Sequence, residues 1–213
     1  MPRLRRLRRH ELDPEQQELF DVLAARAAAT SEATEAPWLY ASGPGMTKIY
    51  HGVGPDGGLE GPSNARVRSP YIGRADQEFG EALRRCTVMT ERMRELVILV
   101  VAHTVDSAFE RYAHEDIGRA VGVTEAELAA LAAGAVPDGL APDEAVAVRC
   151  ARALVGNGRF GDGDLDDDLY AEAAATLGDR IVYELVLFVG HYMQIALQLR
   201  VFRIGAPEPF DGS

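Results

Sequence analysis

The sequence is poor in cysteine, in aromatics, in positive charge and in any alternating apolar-polar run. Its two cysteines, Cys86 and Cys150, lie far apart and form no C-x-x-C pair. A disulfide framework and a vicinal dithiol centre are therefore excluded, and both are expected as buried, reduced thiols of a cytoplasmic protein. Aromatics make up only 7% of residues while Ala, Leu, Val, Glu and Arg dominate, so the fold class expected is all-α. A formal charge of −11 argues against a nucleic-acid partner. No histidines stand at H-x-x-x-H or H-E-x-x-H spacing, and no metal site or cofactor is expected. No apolar h-region follows the N-terminal residues, so no signal peptide is read. The longest late apolar stretch, residues 181–204, is interrupted by Glu184, His191, Gln194, Gln198, Arg200 and Arg203. A lipid-facing helix would not tolerate these residues, and no membrane partner is expected.

What is present is a chain of 213 residues, enough for one domain with an appendage. Five arginines crowd the first nine residues (Arg3, Arg5, Arg6, Arg8, Arg9). They read as a solvated arm, with contact to an acidic surface as the alternative. Asp13-Pro14 caps and opens a first helix that runs to about residue 29. Residues 30–64 are punctuated by Gly and Pro and are read as irregular. They carry Trp38, Tyr40, Tyr50 and His51, residues unusual in a disordered tail, so the segment is expected to pack over the site or a neighbouring subunit; a poorly ordered loop is the alternative. Ser69-Pro70 reads as a short extended piece leading into a helix from about residue 73 or 75 to 86.

Thr90 is the N-cap expected for the central helix, residues 90–104, whose apolar run 96–102 is long enough to be buried on every side. A second central helix is expected over 107–121. Thr124 to Glu127 reads as a capping box for a short helix ending at Gly134. Pro142 opens another helix. The acidic run 164–168 lacks the ligand order of a calcium loop and reads as helix N-cap and first-turn acids. The last long helix is expected from Asp179, after Gly178, to about residue 202. The chain divides into an N-terminal helix with its irregular covering segment, residues 1–64, and a helical domain, residues 65–206.

Candidate chemistry gathers on the two central helices. Glu95 stands at the mouth of the apolar run, where a carboxylate is costly unless paired; a surface glutamate beside Arg92 or Arg94 is the plainer alternative. Ser107, Glu110 and His114 are spaced to share one helix face. The Glu110–His114 pair is suited to moving a proton near neutral pH. Ser107 and Glu110 also fit a capping box, which needs no chemistry. His103, near the break between the two helices, and His191 with Tyr192 on the last helix are further candidates to line the site, with core packing as the competing role.

These residues carry a resemblance. Arg94-Glu95-Leu96, then Phe109-Glu110-Arg111-Tyr112-Ala113-His114-Glu115, then Gly122, fall in a pattern that resembles the carboxymuconolactone decarboxylase family, whose superfamily includes the alkyl hydroperoxidase D enzymes. The resemblance extends over residues 61–205. It implies a helical bundle of that type and assembly as a trimer or hexamer. The two cysteines of the peroxidase branch would fall at Ser107 and Glu110, so the redox half of the motif is missing. The proton-handling half remains. It implies His114 as proton donor, Glu95 as its partner, and Glu110 as an orienting or second acid/base group, with Ser107, His103, His191 and Tyr192 as substrate contacts. The implied function is a cofactor-independent lyase acting on a small carboxylated cyclic compound. An isomerase or cyclase on the same relay, and a non-catalytic ligand-binding oligomer, are the other readings.

Overall fold

A computed structural model describes residues 2–32, 52–54, 56–159 and 162–206. The expected packing of Trp38, Tyr40, Tyr50 and His51 lies outside the described residues. Among the described residues the protein is all-helical. A 3₁₀ turn, Arg9–Glu11, precedes α1 (Pro14–Glu32), α2 (Gly61–Arg66), α3 (Pro70–Cys86), α4 (Glu91–Thr104), α5 (Ala108–Ala120), α6 (Glu125–Ala132), α7 (Pro142–Val155), α8 (Asp167–Leu177) and α9 (Asp179–Phe202).

α4 is the axis. Every residue from Met93 to Ala102 is buried, and α5, α6, α7 and α9 pack around it. Each of Leu96, Ile98 and Leu99 removes a whole side chain from water, at about 1.5–3 kcal/mol apiece. The Thr90 hydroxyl caps α4 by accepting from the Met93 amide at 3.1 Å. Arg92, at the start of α4, reaches Glu127 at 2.5 Å and Glu144 at 3.0 Å, and so ties α4 to α6 and α7. Glu127 also closes the expected capping box with Thr124. Asp166 caps α8 by accepting from the Leu169 amide, which confirms the first-turn reading of the acidic run.

Three expectations are corrected here. Helix α3 begins at Pro70, with no extended piece after it: proline's fixed φ suits the first helical turn, where its missing N–H costs nothing. For the same reason Gly61 and Pro62 open α2 inside the stretch read as irregular. Cys86 is exposed at the end of α3, whereas Cys150 is buried, and burial raises its thiol pKa.

The arginine arm is docked, while Arg3, Arg5, Arg8 and Arg9 stay exposed to solvent as expected. Arg6 pairs with Asp56 at 3.1 Å and with Glu60, and Arg9 forks onto Asp21 at 2.7 and 2.8 Å. Arg3 donates to carbonyls at the end of α9. Behind the arm, Leu12, Leu19, Phe20, Leu23, Leu59 and Val67 form a small second apolar cluster. The arm and α1 are thereby held against α2 and α3, whose inner face carries part of the site.

Candidate active site

α4 and α5 are joined by a tight reversal. Asp106 adopts the left-handed conformation (φ 53°), the Ser107 amide donates to Ala102 O at 2.9 Å, and the Asp106 amide donates to His103 O at 3.3 Å. This is a Schellman closure with Asp in the place usually held by Gly. It folds α5 back along α4, so that Glu95 of α4 meets His114 of α5.

The His114 Nδ1–Glu95 Oε2 distance is 2.7 Å, and Glu110 Oε2 lies 3.5 Å from His114 Nε2, with all three side chains buried. Glu95 is thus the buried, paired carboxylate and not the surface one. Burial alone would lower the His114 pKa, but Glu95 first and then Glu110 outweigh it and hold the imidazole above its ordinary value. Burial dominates at Glu110 and raises its carboxyl pKa, although His114, Arg66 and Arg84 act against that. The raised pKa of His114 favours its imidazolium form, and the raised pKa of Glu110 favours its protonated form. Nδ1 of His114 is engaged by Glu95, which leaves Nε2 as the nitrogen turned toward Glu110.

Tyr192 and His191 sit where the last helix crosses this trio. The Tyr192 ring is edge-on to His114 at 5.3 Å and to His191 at 5.6 Å. His191 is fully buried and neither ring nitrogen has a hydrogen bond at normal length. Burial first, and Arg66 and Arg84 with it, push its pKa down to about 4, against the opposing pull of Asp76 and Gln194. Burial therefore favours the neutral form of His191, whereas the acids beside His114 favour its charged form.

The structure does not bring His103 to this group. It is half-buried, burial lowers its pKa, and its nearest carboxylate is Glu115 at 3.8 Å. The capping-box reading of Ser107 and Glu110 fails too: Ser107 is the N-cap of α5 but makes no side-chain cap, and its hydroxyl is buried without a partner.

A second polar layer was not anticipated from sequence. Arg66 of α2 donates from Nε to Asp76 Oδ2 at 2.6 Å and from Nη1 to Gln77 Oε1 at 3.0 Å, in a nearly dry setting. Burial works against the Asp76 carboxylate, but Arg66 prevails and holds its pKa low. Arg84, one face along α3, adds its charge toward Glu110, His114 and His191. The signal was the small and polar stripe Gly73, Gln77, Gly80 and Arg84, at helical spacing on an otherwise ordinary amphipathic helix.

Comparison with known proteins bears on the fold. No curated protein matches the chain. A protein of unknown function from Agrobacterium tumefaciens, proposed to be the antioxidant defence protein AhpD, superposes with a TM-score of 0.60 at 16% identity, over 68% of this chain and 97% of that one. A structure of the debrominase Bmp8, a Cys-to-Ala variant in complex with 2,3,4-tribromopyrrole, superposes with a TM-score of 0.64 at 10% identity, over 96% of this chain and 91% of that one. At these identities the likeness is one of fold. The model of the carboxymuconolactone decarboxylase family matches residues 70–153, the segment that holds Glu95, Glu110 and His114, and the helical fold is similar to that of the AhpD-like protein.

Proposed function

We propose that the protein is a cofactor-independent lyase that removes carbon dioxide from a small carboxylated cyclic compound, a lactone or a keto acid. The observation that supports it is the buried Glu95–His114–Glu110 trio, with His114 held charged at 2.7 Å from one carboxylate and 3.5 Å from another acid. Loss of carbon dioxide leaves the bonding pair on the α-carbon as an enolate. His114 returns a proton to that carbon from Nε2, and Glu95 stabilises the imidazolium before the transfer. Glu110, whose protonated form burial favours, donates a hydrogen bond to the developing oxyanion. Proton uptake from water restores the imidazolium. An acid/base reaction is favoured over thiol chemistry because Ser107 and Glu110 occupy the two positions of the peroxidase motif.

The partner we propose besides substrate is a second copy of the chain. α9 presents Tyr183, Val186, Leu197 and Val201 outward at helical spacing, an apolar stripe that a neighbouring copy would cover. Sedimentation equilibrium tests that assembly. The activity is tested by incubating carboxylated lactones and cyclic keto acids with the protein and measuring carbon dioxide. Release that disappears in His114→Asn supports the reading, and release unchanged in that variant refutes it.

A further inference from the structure

The proton relay is closed off from water: Glu95 is 6% exposed, Glu110 3% and His114 4%. A small molecule reaches it only if a neighbouring element moves. Helices α4 to α9 are held together by one apolar core. Among the described residues of α1, α2 and α3, Leu83 alone is buried in that core. The buried apolar side chains Leu12, Leu19, Phe20, Leu23, Leu59 and Val67 form a separate cluster.

The seam between α3 and α9 is correspondingly polar. The buried face of α3 is Gly73, Gln77, Gly80 and Leu83, three of them small or polar. On α9 they meet His191. Phe79 is edge-on to its ring at 5.3 Å, Asp76 lies 3.9 Å from Nδ1, and a Cβ on Gly80 would lie 2.7 Å from Nε2. Arg66 of α2 and Arg84 of α3 carry their charge to Glu110 of α5. The bonds from Arg66 to Asp76 and Gln77 join α2 to α3 on one side of the seam, so parting it leaves them intact. Little apolar surface is exposed by such a parting, and the polar groups regain water, so it costs less than opening the main core.

The N-terminal elements are tied to one another. Arg68 donates to Arg5 O at 2.6 Å, the Tyr71 hydroxyl donates to Glu15 at 2.7 Å, and Arg6 pairs with Asp56 at 3.1 Å. Two contacts at opposite ends of α9 hold them in place. At its start, Glu184 accepts from the Thr87 hydroxyl at 2.5 Å and from the Val88 amide at 3.0 Å, in the short connection from α3 to α4. At its end, Arg3 donates from its amide to Phe202 O at 2.9 Å and from Nη1 to Val201 O at 3.0 Å. At 1.5 Å rise per residue these contacts stand about 26 Å apart, with His191 between them.

We infer that α2 and α3, with the arm and α1, form a lid over the relay that swings on residues 87–90 and is latched by Arg3 on the end of α9. Open, it admits a small molecule; closed, it excludes water and sets Arg66 and Arg84 beside Glu110. Its use in turnover rests on the function proposed above; the opening itself does not.

The test is thiol trapping by iodoacetamide in the full chain carrying Cys86→Ser. The remaining native thiol, Cys150, lies in the main core and reports global unfolding. A thiol is introduced on the buried face of α3 by Gln77→Cys and, in a second protein, by Leu83→Cys. Each introduced thiol is expected to react at least about tenfold faster than Cys150 in the same molecule, a ratio that cancels any general destabilisation by the substitution. Adding Arg3→Ala, which removes one exposed hydrogen bond of the latch, is expected to speed trapping about fivefold and to leave Cys150 unchanged. An introduced thiol no faster than Cys150 at either position, or trapping unmoved by Arg3→Ala, overturns the inference. Trapping reads the opening whether or not carbon dioxide is released, so the lid and the lyase reading fail separately.

Discussion

Glu95→Gln removes a charge from the relay and leaves its shape, which makes its consequences calculable. In the native protein burial pushes the His114 pKa down and two acids push it up, and Glu95, at 2.7 Å, is the larger of the two. Glu110 is itself raised by burial and cannot replace the lost charge. The sign of the His114 shift is therefore expected to invert: above the ordinary 6.5 in the native protein and below it in the variant. Stripping one partner from a buried ion pair costs about 3–5 kcal/mol; the amide still accepts one hydrogen bond, so about 2–3 kcal/mol is expected here. A raised folded pKa means that this contribution is full below 6.5 and is lost as pH rises through the folded value of His114. The destabilisation should thus be greatest in mild acid and should shrink in alkali. Urea unfolding across pH gives the energy, and ¹⁵N-detected titration of the imidazole gives the pKa. A His114 pKa that stays raised in the variant would refute the assignment of Glu95 as its counter-charge.

His191 makes the opposite pH prediction. With its pKa lowered from 6.5 to about 4, the folded protein resists protonation that the unfolded chain accepts. Stability is expected to fall by up to about 3 kcal/mol as pH drops through that window, and His191→Gln should flatten the fall in urea titrations. Gly80→Ala places a methyl group 2.7 Å from His191 Nε2 in a packed interior. It should destabilise by about 1–3 kcal/mol despite alanine's better helix propensity, read as a drop in Tm of several degrees. Iodoacetamide should label Cys86 in the native protein and Cys150 only after unfolding; labelled native protein should keep its activity, and a thiol-dependent enzyme would lose it.

Local chemistry was legible in the sequence wherever one stretch of chain decided the outcome. The caps at Thr90, Thr124 and Asp166, and the last helix from Asp179 to Phe202, all follow from side-chain and backbone preferences within a few residues. Proline misled twice, because the same ring that breaks a helix interior also starts a helix at Pro62 and Pro70. The Glu110–His114 half of the relay was visible from helical spacing, and Glu95 entered through the family pattern. The second layer was hidden because Arg66, Asp76, Arg84 and His191 come from three helices, and their meeting depends on how α2 and α3 dock against α9. Ser107 illustrates the limit of motif reasoning. Its S-x-x-E spacing is that of a capping box, but in the folded chain its hydroxyl makes no cap.

The most direct test of the central claim is the fate of a solvent proton in turnover. A carboxylated substrate that releases carbon dioxide is converted in deuterated buffer, and the product is analysed by mass spectrometry and NMR. One carbon-bound deuterium on a single face, absent with His114→Asn and much reduced with Glu95→Gln, is the result expected of a buried relay that returns the proton. Deuterium incorporated at the native rate by His114→Asn would contradict it.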